Sequence, residues 1–385
     1  MEKMMRELEE LARSRVTDLQ KAKKEGKLVI QYTGYFIPEE MIRAAGAETY
    51  LMCRGGEPEA PDAVLDNMLR FMNPLARSMA GFYELGLDPV TPISDLIVMQ
   101  QTANHVGRIS ELFEYKKLPV FKVGVPPDWK KEIAFEYNVN SLKKLQEKLE
   151  EMTGKPLDYA LFKKYLEQSN RIHAGLRKID ELRKKDNPPI GLTEFIRLNH
   201  YSFLVDPEIF IAKLEELYDI LKDAPGKFPD NAPRILFAGR VLAIGDYTAP
   251  RVVEEAGGAI VADFLDEGIR PYKNDVEIEA DDLLRSYAKA RYLDKPPINI
   301  FQPAWEERCA YIKQLIKDYR VDGIIWYQLS FDEIYDMEYT CLAKWMGEIN
   351  MPIMKLESSY EYSREAMGPL TTRIESFVES LKGGK

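Results

Sequence analysis

Leu8, Leu11 and Leu19 lie near one face of a first helix, with charged residues filling the turns between them. Gly26 ends that helix, and the apolar run 28–32 follows as a strand. Pro38 opens a short helix that Gly46 closes, since proline suits a first turn and glycine the position just past an end. Further strands are predicted at 96–99 and 119–123, with a helix over 106–115 between them. Short apolar strands alternating with helices imply a parallel sheet covered on both faces.

From about 141 to 222 the pattern turns to helices alone. Ser141 is placed to cap the run Leu142, Leu145, Leu149, Met152, which stops at Gly154. Asp206-Pro207 gives the next capped start, for a helix over 209–221. Residues 223–233, with three prolines and one glycine, form a link. Alternation then resumes, with strands at 234–238, 259–262, 323–327 and 352–356 and helices at 250–255, 304–319, 336–346 and 370–381. The expected architecture is α/β: two doubly wound parallel-sheet lobes joined by a helical segment. The first lobe spans 1–228 and carries the helical segment 141–222; the second spans 229–385. Ligands in such lobes bind beyond the carboxyl ends of the strands, so two lobes make a cleft.

A net charge of -10 disfavours nucleic acid as a partner, and the basic runs 21–24 and 183–185 read as solvated helix faces. No run of about 18 apolar residues marks a membrane span, and the first residues open into an amphipathic helix without the apolar core of a signal peptide. Cys53, just past a strand, Cys309 and Cys341 are too few and too scattered for a disulfide framework. A cytoplasmic setting is expected.

There is no Walker A loop and no Gly-x-Gly-x-x-Gly. Gly239 follows a strand, but Arg240-Val241-Leu242 is a poor start for a phosphate cradle. Of the three histidines, His173 and His200 fall in the helical segment, where surface or core-edge positions are expected. Asn104-His105 instead follows the strand at 96–99, where an α/β fold places its site. Asp332, Glu333, Asp336 and Glu338 crowd the end of another strand, and Glu357 follows the next. They suit acid–base work if burial shifts them; alternatively, Asp332 and Glu333 simply cap the helix that follows.

The segment Tyr35-Phe36-Ile37-Pro38-Glu39-Glu40-Met41-Ile42-Arg43-Ala44-Ala45-Gly46-Ala47 resembles an early signature of the 2-hydroxyacyl-CoA dehydratase / benzoyl-CoA reductase family. Asn73-Pro74-Leu75-Ala76-Arg77-Ser78, Asp95-Leu96-Ile97-Val98, Met337-Glu338-Tyr339 and Leu370-Thr371-Thr372-Arg373-Ile374-Glu375-Ser376-Phe377 resemble its later motifs in the same order. The resemblance implies a heterodimer of related two-lobed subunits and a separate ATP-dependent iron–sulfur activator that supplies one electron. It also implies an acyl-CoA substrate. Dehydratases of this family eliminate water from 2-hydroxyacyl-CoA through a ketyl radical; the reductases reduce an aromatic ring. The family's [4Fe-4S] cluster sits in the cleft on cysteines.

This chain departs from the family at those cysteines. Asn73 stands where family members carry Cys before the Pro-Leu, Ala103-Asn104 where they carry Cys-Asp, and Phe331-Asp332 where they carry a second Cys-Asp. Neither Phe nor Ala replaces a thiolate. Cys53, Cys309 and Cys341 read as buried thiols. The leading expectation is a subunit without a cluster of its own, paired with a homologous cysteine-bearing subunit, with Asn73, Asn104, His105, Asp332 and Glu333 lining the cleft. The cluster then belongs to that partner and to the activator. The alternatives are a non-catalytic platform that docks the activator, and a two-lobed small-molecule binding protein.

Overall fold

The computed structural model describes residues 1–265, 268–360 and 364–383, leaving aside the side chains of residues 104, 364 and 365. Helix α1 (Glu2–Lys24) leads into β1 (Val29–Tyr32), α2 (Glu39–Ala44), β2 (Glu48–Leu51), α3 (Glu59–Asp62), α4 (Pro74–Glu84), β3 (Leu96–Gln101), α5 (Asn104–Tyr115) and β4 (Val120–Gly124). Four helices follow without a strand: α6 (Glu132–Thr153), α7 (Tyr159–Leu182), α8 (Leu192–Tyr201) and α9 (Pro207–Lys222). The second alternation runs β5 (Arg234–Gly239), α10 (Thr248–Glu255), β6 (Ala259–Leu265), α11 (Leu283–Ala288) and α12 (Trp305–Tyr319). It ends with β7 (Gly323–Leu329), α13 (Glu333–Glu348), β8 (Ile353–Ser358) and α14 (Arg364–Gly383).

Both sheets are parallel and identically ordered, β2-β1-β3-β4 and β6-β5-β7-β8. In each, the chain steps outward once and then returns past its first strand, so the order reverses between β1 and β3 and between β5 and β7. These are the two α/β lobes that the alternation implied. Strands β1, β5, β6 and β7 are buried at every position, which is why unbroken apolar runs rather than alternating ones encode them.

β6 lies at a sheet edge yet is wholly buried, because the helical segment covers it. Arg183, just past α7, donates to Asp263 of β6 and also pairs with Asp180 at 3.0 Å. Its side chain is fully buried. The expectation of a solvated face at 183–185 is therefore wrong at Arg183, where two carboxylates compensate the buried charge.

The largest apolar cluster runs through both lobes, taking in Ile30 and Val98 of the first sheet and Ile235 and Ile325 of the second. Backbone bonds join them too: Ile244 N–H donates to the Cys53 carbonyl at 2.8 Å, and Gly55 N–H to the Ile244 carbonyl at 3.1 Å. Among the described residues no helix is long and apolar enough to cross a membrane.

Two helices differ from their expected form. α6 begins at Glu132, so Ser141 sits inside it and caps nothing; its hydroxyl accepts the Gly124 N–H at 2.8 Å and closes the end of β4. Leu142, Leu145 and Leu149 do face the core, but Ala134, Phe135, Asn138 and Val139 extend that face by two turns. α4 was not announced by periodicity at all, because nine of its eleven residues are buried, Arg77 included, and no polar stripe remains to reveal its period. The Asp206 cap is present, its carboxylate accepting from the Glu208 and Ile209 amides.

Candidate functional site

The ends of β5 and β7 in the second lobe face the starts of α4 and α5 in the first. Asn-Pro starts α4 as its sequence dictates: Asn73 Oδ1 accepts the Leu75 and Ala76 amides at 2.9 and 3.3 Å, and Pro74 fills the first turn. That leaves the Asn73 Nδ2 to reach the second lobe, where it donates to Asp332 Oδ2 at 2.8 Å. Asp332 sits at the N-cap position of α13 but makes no side-chain capping bond. Its Oδ2 instead lies 3.1 Å from Arg240 Nε. The His105 Nδ1, in the first turn of α5, accepts the Asn73 N–H at 3.2 Å.

Arg240 was not anticipated as a site residue. It follows Gly239, the last residue of β5, and its Nη1 donates to the Tyr335 hydroxyl at 3.3 Å. The signal was present as a glycine at a strand end followed by an arginine. Gly239 has φ +130°, and a Cβ there would meet the Tyr327 carbonyl oxygen at 2.0 Å. Gly239→Ala is expected to lower stability by about 1–3 kcal/mol and to displace Arg240. Urea denaturation checks the first effect, and an unchanged midpoint would contradict it.

Asn73, His105 and Asp332 thus converge, joined by Arg240. The Asn104 side chain lies outside the described residues, although its backbone opens α5. Glu333 is exposed beside the centre and makes no described hydrogen bond within it. The other carboxylates do not gather there. Glu338 is buried against Arg308 at 2.7 Å and also holds Asn299. Asp336 binds Gln328 and Lys355, and Glu357, inside β8 rather than after it, accepts from Ser330 at 2.9 Å. His173 and His200, expected at the surface or the core edge, are sealed inside the core at 1% and 0% exposure. Burial holds both imidazoles down to about 3. His105 is only half-buried; burial lowers its pKa and Arg240 adds to this, against the pull of Asp332 and Glu333.

The family model of the 2-hydroxyglutaryl-CoA dehydratase D-component matches residues 34–381. The chain belongs to this D-component family. One relative is YjiM of Escherichia coli strain K12, provisionally named a dehydratase subunit, 24% identical over 90% of this chain and 89% of its own. Another is the beta subunit of (R)-2-hydroxyglutaryl-CoA dehydratase from Acidaminococcus fermentans, 23% identical over 98% and 99%. The (R)-phenyllactyl-CoA dehydratase beta subunit of Clostridium sporogenes is 23% identical over 67% of each chain.

The D-component resemblance implies a thiolate-held cluster at this junction of the lobes, and the residues present do not fit one. The groups that meet are an amide, an imidazole, a carboxylate and a guanidinium. Ala103 has no donor, and Phe331, at φ +64°, stacks edge-on against Phe71 at 5.4 Å. Cys53 is buried against Gly268, while Cys309 and Cys341 lie on α12 and α13. Among the described residues no three His, Cys, Asp or Glu side chains are grouped to hold a metal. A polar hydrogen-bonding centre of this kind orients polar groups but stores no electron.

Proposed function

We propose that this chain is the cluster-free subunit of a heteromeric 2-hydroxyacyl-CoA dehydratase. It pairs with a homologous cysteine-bearing subunit, an ATP-dependent iron–sulfur activator supplies the electron, and the [4Fe-4S] clusters belong to those two partners. This chain contributes one wall of the acyl-CoA cleft. The observation that carries the reading is the Asn73–Asp332–Arg240 centre, with His105 on Asn73, at facing element ends where the family's cysteines are replaced. The named relatives support dehydration over ring reduction, and their beta-subunit names support a multi-subunit assembly.

Anaerobic co-expression with a cysteine-bearing homologue is the test. The expected product is an equimolar complex with iron and sulfide assigned to the partner, since obligate interfaces of about 2,000 Å² or more survive purification. Stoichiometric iron on this chain alone, lost on Cys53→Ala, Cys309→Ala or Cys341→Ala, would overturn the cluster-free assignment. A monomer indifferent to the homologue favours the binding-protein alternative. A complex fully active after Asn73→Ala and Asp332→Ala favours the docking platform.

A further inference from the structure

We infer that His105 is a tautomer-fixed hydrogen-bond donor, presenting Nε2–H to an acceptor oxygen of the acyl ligand. The choice of ligand rests on the function just proposed; the fixed tautomer does not.

The Asn73 backbone N–H points at His105 Nδ1 at 3.2 Å. A ring nitrogen that accepts a hydrogen bond carries no proton, so the neutral imidazole keeps its proton on Nε2. Asn73 cannot readily release that amide. Its own Oδ1 caps α4, its Nδ2 is tied to Asp332, and Pro74 restricts its backbone to the extended conformation that the structure shows at ψ 129°. The opposite ring nitrogen meets no hydrogen-bond partner among the described residues.

The groups around His105 also fit a donor rather than an acid or base. Asp332 and Glu333 favour the cation, while Arg240 and burial oppose it, and burial is the largest influence. The balance lowers the pKa and favours the neutral ring, whose accepting nitrogen is already occupied. A neutral N–H suits a carbonyl or hydroxyl oxygen and adds no charge to the cleft. The other two histidines are sealed in the core, so His105 alone offers an imidazole at this centre.

Two near-isosteric substitutions separate donation from mere support of Asn73. In His105→Gln the amide nitrogen reaches the Nε2 position, so donation is kept and the acceptor for Asn73 is lost. In His105→Asn the amide reaches only the Nδ1 position, so the support is kept and donation is lost. The probe is butyryl-CoA, which has no 2-hydroxyl to eliminate, titrated calorimetrically into the co-purified complex. His105→Gln is expected to bind within about threefold of the unmodified complex and His105→Asn about tenfold more weakly, the scale of one hydrogen bond. The reverse order overturns the donor role and makes His105 a prop for α4.

The second readout is nitrogen NMR of the full chain labelled at its three histidines, with His105 assigned by its loss in His105→Gln. A protonated Nε2 and a bare Nδ1 are expected at about pH 8. An Nδ1–H tautomer or an imidazolium overturns the inference. If the unmodified complex ignores butyryl-CoA, the acyl-CoA function fails together with the ligand assignment, whereas the spectrum still decides the tautomer.

Discussion

Replacing Arg270 by Met is expected to lower stability by about 3–5 kcal/mol, because it strands a buried carboxylate without its cation. Arg270 follows β6 in the second lobe and is 4% exposed. Its Nη2 meets Glu39 Oε1 of α2 at 2.7 Å, and its Nε donates to the Ser202 hydroxyl at 2.8 Å. Tyr32 donates to the other oxygen of Glu39. Burial pushes Glu39 upward, but Arg270 and Tyr32 more than reverse this and hold it below the usual carboxylate range. Next to it, burial and the Glu39 charge keep the Glu40 carboxyl raised. Two adjacent buried acids thus share one principal cation, which also ties the first lobe to the second. The double variant Glu39→Gln with Arg270→Met is expected to recover much of the loss, since no buried charge is then left unpaired. Urea midpoints of the two single variants and the double one give the coupling. A loss below about 1 kcal/mol for Arg270→Met would mean that water reaches the site and screens it.

The Pro-Glu-Glu motif was legible in the sequence, but its role as a buried inter-lobe anchor was not, because nothing local announces an arginine 231 positions away. The same logic runs through the rest of the chain. Sheet strands were readable because burial on both faces makes their code continuous. Helices with one solvated face were readable by period, while α4, buried almost all round, was not. Ser141 misled because a hydroxyl before a leucine run resembles a cap, whereas its partner is a strand end 17 residues back. Arg183 misled because Lys184 and Lys185 beside it suggested a solvated run, although the turn after α7 buries only the first of the three. Asn73, His105 and Asp332 were found through family motifs and strand-end position. Arg240 is not legible as a site residue, because its ionic partner comes from a different strand end.

Stability is expected to fall by about 4 kcal/mol between about pH 7.5 and 5 through His173 and His200 alone, each unfolded imidazole binding a proton that the folded one refuses. The folded values lie at about 3 against 6.5 for the free side chain. Above the unfolded value neither state binds a proton, and the contribution to stability is complete. As pH falls below it, the unfolded chain takes up protons first, so stability is lost progressively down to the folded value. The cause is burial in each case, and it outweighs the Asp275 carboxylate 3.5 Å from His173 Nδ1. His200 Nδ1 is paired with the Tyr247 hydroxyl at 2.8 Å. Glu40 and Glu254 act in the opposite sense, because burial raises both and the folded state then gains their protons first. The unmodified protein therefore reports only a net slope, and variants isolate the histidines. His173→Gln and His200→Gln are each expected to flatten the dependence of unfolding free energy on pH by about one proton near pH 5.5, or about 1.4 kcal/mol per pH unit. Denaturant titrations at several pH values measure this. Slopes unchanged in both variants would mean that the two imidazoles are protonated inside the fold and that burial does not govern them.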